Sequence, residues 1–464
     1  MDRLSGGGFQ ALRALLDGPF AGLFGGMHLL PFYYPIDGSD AGFDPIDHTQ
    51  PDPRLGSWSD LRELARGKDL MADLIVNHMS SRSPQFEDFR KNGDASRYAD
   101  LFLTYGHVFP KGATEADLLQ IYRIRPSLPF TAMKYDDGIE RLLWTTFTSA
   151  QIDINVSSDS GRSYLVQILK QFREAGVRAI RLDAAGFAIK KAGTRCFMIQ
   201  ETFEFISGLT AQAHALDIEV LVEMHGQYED QIQLARRVDW VYDFALPPLV
   251  LHALYAQDAA PLKKWLTMSP RNAVTVLDTH DGIGVIDAGG LLSSAQIGSI
   301  VETIHRRSND ESRQASGEAA SNLDVSQVNC TFYDALGRQD AEYRIARSLQ
   351  FFSPGVPQVY YVGLLGGTND MDLLRRTKEG RDINRHHYTA QEVDLEVQRP
   401  AVRALFELIR FRNAHPAFAG DFRLLPCMNH QIAIEWRDKE HWARLSVDLK
   451  ARSSAIDASP GVRS

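Results

Sequence analysis

Seven times along this chain a short apolar, β-branched run stands between stretches of helical pattern. The runs are Gly26 to Phe32, Leu70 to Asn77, Val177 to Asp183, Ile218 to Glu223, Val238 to Phe244, Ala273 to Asp278 and Val356 to Val362. Helical patterns such as Gly161 to Ala175 and Thr202 to Ala215 separate them. Such alternation predicts βα units and a parallel sheet, an α/β fold whose closed form is a (β/α)8 TIM barrel. A closed barrel needs eight strands. Nothing ahead of Gly26 reads as a buried strand: Met1 to Gly8 is polar and glycine-rich, and Phe9 to Leu16 is helical in pattern. The first barrel strand is the one expected to be missing.

The ends of these runs carry the chemistry. Val177 to Leu182 is a largely apolar run interrupted by Arg178 and Arg181, and Asp183 and then small residues follow it. In a parallel α/β protein the carboxyl ends of the strands open to solvent above a packed core, and catalysis is done there. Arg181 and Asp183 share one face of a strand, so the cation is expected to hold the carboxylate ionised, as a nucleophile requires. Taken alone, such a pair is more often an ordinary salt bridge at a strand end. Three further runs deliver similar groups: Asn77-His78, Glu223-Met224-His225, and Asp278-Thr279-His280-Asp281. Four strands offering carboxylate or imidazole to one rim point to a single site.

The bulk properties narrow the class. With 464 residues, the chain suits a barrel of roughly 250 residues with insertions and an appended domain. Apolar content of 44% and charged content of 23% fit a folded globular protein. A net charge of −9 argues against nucleic acid or an anionic membrane surface as partner. The three cysteines are odd in number and widely spaced, fitting buried thiols in a reducing compartment. No leader or membrane-length apolar run is read, so a cytoplasmic enzyme is expected. The predicted organisation is a barrel from 1–76, 158–282 and 338–417. An inserted domain spans 77–157 after the third strand, a second insertion 283–337 follows the seventh, and a short β domain covers 418–464.

The strand-end carboxylates resemble those of glycoside hydrolase family 13, the α-amylase superfamily. More narrowly, nearly the whole chain is similar to the sucrose phosphorylase group. The segments that carry this likeness include Asp40-Ala41-Gly42-Phe43-Asp44-Pro45, Tyr122 to Phe130, Asp278 to Asp287, Gln327-Val328-Asn329, Pro354 to Gly363 and Gly380 to His386. The resemblance implies the barrel with insertions after strands three and seven. It also implies Asp183 as nucleophile, Glu223 as general acid/base and Asp281 as transition-state stabiliser. By the same likeness His78 and His280 flank a glucosyl ring beside Arg181. Asp40 and Arg381 grip its far hydroxyls, Phe43 and Phe147 wall the pocket, and Gln151 is a polar neighbour. Phe187 and Ser326 stand where close relatives carry Tyr, both on the acceptor side. Relatives suggest a monomer or a homodimer.

The residues support retaining glycosyl transfer. Two carboxyl groups about 5–5.5 Å apart allow a covalent glycosyl intermediate, one acting as nucleophile and the other as proton donor. Arg181 is expected to hold Asp183 ionised, while Glu223 beside another anion keeps its proton longer. If inorganic phosphate is the acceptor, a dianion must enter a pocket of carboxylates. Arg125 is then the candidate phosphate binder, since a guanidinium fork matches phosphate oxygens. The alternative for Arg125 is a structural arginine tying the insertion to the barrel. His225 is read as a contact for phosphate or acceptor, or as a satisfied core histidine. Asp324 and Gln327 are candidate fructose binders.

The leading expectation is thus transfer of glucosyl from sucrose, or a related α-glucoside, to phosphate. Rivals are a phosphorylase of glucosylglycerol or glucosylglycerate, a retaining α-glucosidase, and a non-catalytic sugar-binding protein. Trp58, Trp240 and Trp265 are read as packing residues, and Asp73 and Asp278 as makers of buried structural hydrogen bonds. Asn77 alone does not supply the oxygen cluster that calcium needs, and no metal or other cofactor is expected.

Overall fold

The computed structural model describes residues 7–36, 42–124, 127–316 and 326–461. Asp40, Arg125 and Asp324 lie outside them. The chain divides into two compact units. The first comprises residues up to Leu16 together with Phe24–Met224 and Arg237–Trp240; the second comprises Asp17–Leu23, His225–Arg236 and everything from Val241 onward.

In the first unit four strands run parallel: β1 (Gly26–Leu29), β2 (Asp69–Ile75), β3 (Val177–Asp183) and β4 (Glu219–Val222). The register sets His28 opposite Met71, Asp73 opposite Arg181 and Ile75 opposite Asp183. β2 and β3 are almost continuously buried, as strands covered on both faces must be. The crossover helix Asp159–Ala175 starts at a Ser158 cap on the Gly161 amide and buries Leu165, Ile168, Leu169 and Phe172. It stops at Gly176, whose φ of 85° is left-handed and favours glycine.

Within residues 77–157 the short strands His78–Ser80 and Gln151–Asp153 pair antiparallel, with His78 opposite Asp153. A hairpin of Phe130–Lys134 and Glu140–Trp144 follows the helix Pro84–Asn92. Leu103, Val108, Phe109, Ile121, Trp144 and Cys196 form a local apolar cluster.

The second unit contains β5 (Trp240–Asp243, in this unit from Val241), β6 (Ala273–Thr275) and β7 (Val356–Pro357), again parallel. Seven parallel βα strands are therefore present among the described residues, against the eight of a closed barrel. β6 and β7 are shorter than the apolar runs predicted. Pro357 has no N–H to continue a ladder, and Tyr361–Leu364 is already helical. Gly355, just before β7, has φ 115°, and a Cβ there would lie 2.2 Å from the Ala273 carbonyl oxygen. The alternating pattern beyond residue 418 becomes a four-stranded antiparallel sheet of Asp421–Leu424, Gln431–Asp438, His441–Asp448 and Ser453–Ala458. Trp436 on it donates to the Phe352 carbonyl.

Candidate active site

A buried guanidinium organises the first unit's site. Arg181 is 2% exposed and sits two residues before Asp183 on one face of β3. Its Nη1 lies 3.1 Å from Asp183 Oδ1 and 2.5 Å from Asp73 Oδ1, and its Nη2 lies 2.5 Å from Glu223 Oε1. Glu223 follows the end of β4, and its amide donates to the Leu182 carbonyl, which fixes its height beside Asp183. Its second oxygen, Oε2, accepts from the Ala184 amide at 3.2 Å. Ala184 has φ 54°, a left-handed conformation that costs a non-glycine residue on the order of 1 kcal/mol or more. That turn aims its N–H at the carboxylate. The sequence assigns Arg181 to Asp183; the structure shows the same cation shared by Asp73, Asp183 and Glu223.

Burial works to raise the pKa of Asp73, but the charges of His28 and Arg181 and their hydrogen bonds outweigh it and hold it at about 2. Asp73 is thus a permanent anion beneath the site, more than the plain structural residue the sequence suggests.

Around this core the other first-unit candidates assemble. His78 Nε2 lies 2.8 Å from the Phe43 carbonyl oxygen and 3.1 Å from the Gln151 carboxamide nitrogen. Its ring meets Phe147 edge-on at 5.1 Å. The Phe43 ring lies 5.6 Å from the Arg181 guanidinium carbon, a cation–π contact. An aromatic tract continues from Phe147 to Phe187 at 5.4 Å, and on to Phe197 at 4.7 Å and Tyr122 at 6.0 Å. The Asn77 carboxamide oxygen accepts from Lys190 Nζ at 2.5 Å, and the same ammonium pairs with Asp153 and the Phe187 carbonyl. A lysine therefore occupies this oxygen cluster. Burial lowers the Lys190 pKa, and Asp153 works against that.

In the second unit, Asp281 pairs with Arg381 at 2.8 Å and lies 3.7 Å from His280 Nε2. Asn384 donates to the Asp281 carbonyl at 2.7 Å and Arg385 to the His280 carbonyl at 2.9 Å, fixing this turn. His225 Nδ1 lies 3.1 Å from Asp287 Oδ2, and its ring stacks on Phe244 at 4.1 Å. Gln327 lies on a two-residue strand opposite Gly284. Of the tryptophans, Trp265 is fully buried and donates to Asp243 at 2.9 Å. Burial raises the Asp243 pKa to about 7, against the Trp265 N–H and the Leu246 and Ala245 amides.

Sequence reasoning assigned no role to His28, whose Nε2 lies 3.0 Å from Asp73 Oδ2. The available signal was a lone polar side chain inside an apolar run.

The sequence profile of the family described as "Alpha amylase, catalytic domain" matches residues 24–246. The sucrose phosphorylase of Agrobacterium vitis is 58% identical over 99% of this chain and 96% of its own length. The chain belongs to the sucrose phosphorylase family, within the α-amylase superfamily. The Bifidobacterium adolescentis sucrose phosphorylase is 49% identical, covering 98% of this chain and 92% of its own. The crystal structure of sucrose 6F-phosphate phosphorylase from Thermoanaerobacter thermosaccharolyticum superposes with a TM-score of 0.91 at 38% identity, over 98% of this chain and 95% of that one. These likenesses give the fold as the family's (β/α)8 barrel with a C-terminal antiparallel sheet. No helix among the described residues is long and apolar enough to cross a membrane.

Proposed function

We propose that this chain transfers the glucosyl unit of sucrose to inorganic phosphate, giving α-D-glucose 1-phosphate and D-fructose. The observation that carries this reading is the meeting of Asp183 and Glu223 at the two terminal nitrogens of one buried arginine, in a chain so similar to sucrose phosphorylases. An Asp183 oxygen bonds to the anomeric carbon as the bond to the fructosyl oxygen breaks, and Glu223 delivers its proton to that oxygen. A phosphate oxygen then attacks the same carbon, the bond to Asp183 breaks, and Glu223 accepts the proton phosphate gives up. Two inversions retain the α configuration.

Asp281 strengthens its hydrogen bonds to the ring hydroxyls as positive charge grows, which favours the transition state over bound sucrose. His78, His280 and Gln151 orient the glucosyl ring against Phe43 and Phe147, and Asp40 with Arg381 holds its far hydroxyls. Asp324, Gln327 and His225 receive fructose, and Arg125 offsets the charge of the incoming phosphate. No metal or organic cofactor enters these steps.

The test is sucrose with and without inorganic phosphate, products followed by proton and phosphorus NMR. α-Glucose 1-phosphate formed only with phosphate is expected. Free glucose at the same rate in both would overturn the reading in favour of a glucosidase. Turnover of glucosylglycerol or glucosylglycerate but not sucrose would move the leaving group. Arg125→Ala should depress phosphorolysis far more than hydrolysis; equal losses would remove Arg125 from phosphate binding.

A further inference from the structure

We propose that His28 is a positioning residue for this glucosyl transfer, acting through Asp73 and Arg181 to fix the two carboxylates that meet the anomeric carbon. The inference rests on the roles of Asp183 and Glu223 given above.

His28 stands on β1, whose other members are Gly26, Met27 and Leu29, and its side chain is only 7% exposed. The register places it opposite Met71, so Asp73 is the next residue of β2 on the same face. His28 Nε2 lies 3.0 Å from Asp73 Oδ2, while Asp73 Oδ1 accepts from Arg181 Nη1 at 2.5 Å. The Asp73 carboxylate is ionised and can only accept, so His28 Nε2 carries the hydrogen between them. Tyr33 donates to the Asp73 backbone carbonyl, which holds the main chain at that point.

The consequence follows from guanidinium geometry. An arginine facing an unrestrained carboxylate closes on it with two parallel hydrogen bonds. Asp73 is the most buried carboxylate near Arg181, so a rotation presenting both oxygens would draw the guanidinium towards it. Nη1 would leave Asp183 and Nη2 would leave Glu223. His28 prevents this by engaging Oδ2, which restricts Asp73 to a one-oxygen contact. The remaining N–H groups of Arg181 then serve Asp183 Oδ1 at 3.1 Å and Glu223 Oε1 at 2.5 Å. His28 touches no substrate; it sets where the cation sits.

The experiment uses the full chain with His28→Leu, which keeps apolar volume but removes the donor, and His28→Gln, whose carboxamide nitrogen can replace Nε2. Steady-state phosphorolysis of sucrose is measured at saturating inorganic phosphate, with melting temperature as a folding check. H28L should lower kcat about 100-fold, the cost of misplacing reacting groups by about an ångström, while KM for sucrose moves less than about twofold. H28Q should recover at least about tenfold of that loss. A kcat for H28L within about threefold of the parent, or an H28Q no better than H28L, would overturn the proposal. If H28L does not fold, His28→Asn takes its place, being too short to reach Asp73. The parent enzyme reads the functional assignment separately: if it forms no glucose 1-phosphate, that assignment fails and this inference with it.

Discussion

Each unit buries an arginine against an aspartate near a strand's carboxyl end, and the two sites have opposite characters. In the second unit Arg347, 1% exposed, donates to Asp278 Oδ2 at 2.7 Å, to the Tyr343 hydroxyl at 3.0 Å and to Gln350 at 2.9 Å. One cation meets one carboxylate, and neutral partners take the other N–H groups. In the first unit Arg181 meets three carboxylates, and the two at the strand ends keep some exposure, with side chains 10% and 13% accessible. A one-to-one buried pair ties the turn after a strand to a helix. Three carboxylates sharing one guanidinium leave acidic groups at the strand ends, which is what the proposed chemistry at an anomeric centre requires. The Asp–Arg pairing itself does not mark a site; the number of carboxylates that share the cation does.

The largest expected effect breaks the first site. Asp183→Asn keeps the shape but removes the proposed nucleophile, and kcat should fall about 10⁴-fold with melting temperature preserved. Removing each arginine in turn is the direct test of the comparison. Arg181→Met should abolish most activity, whereas Arg347→Met should leave activity per folded molecule near the parent's and cost about 3–5 kcal/mol of stability by stranding Asp278. Equal loss of kcat in both variants would mean the one-to-one pair is not merely structural.

Gly363→Ala sharpens the structural half. A Cβ there would lie 1.8 Å from Asp278 Oδ2 and 2.1 Å from Arg347 Nη2, so denaturant unfolding should show a loss of about 3 kcal/mol.

The smallest effect concerns Asp243. Burial raises its folded pKa to about 7, above the unfolded value near 3.8, so its contribution is fully present below about pH 4 and is lost as pH rises through about 7. Asp243→Asn should therefore flatten the decline of melting temperature between pH 5 and 8. An unchanged slope would place the titration elsewhere.

Much of this was legible in the residues. The apolar runs ending in Asp183 and Glu223 located β3 and β4 and the two carboxylates, because strand burial and strand-end chemistry both leave local signatures. The alternation in residues 430–447 likewise located the two middle strands of the C-terminal sheet. Asp73 was less legible: a single Asp inside an apolar strand looks the same whether it bonds a loop or an active-site cation. Its pairing with Arg181 is set by β2–β3 register across 108 residues of chain, which no local pattern encodes. Lys190 shows the same gap, since acceptor oxygens of the distant Asn77 and Asp153 converge on it beside the nearby Phe187 carbonyl.

By itself, then, the sequence determined which side chains end the strands and which family the pattern resembles, since both follow from local periodicity and residue type. Only the tertiary structure decided how one guanidinium is divided among three carboxylates and which histidine meets one of them. Those contacts depend on the register of separate strands, and charge–charge energies depend on distances that only packing sets.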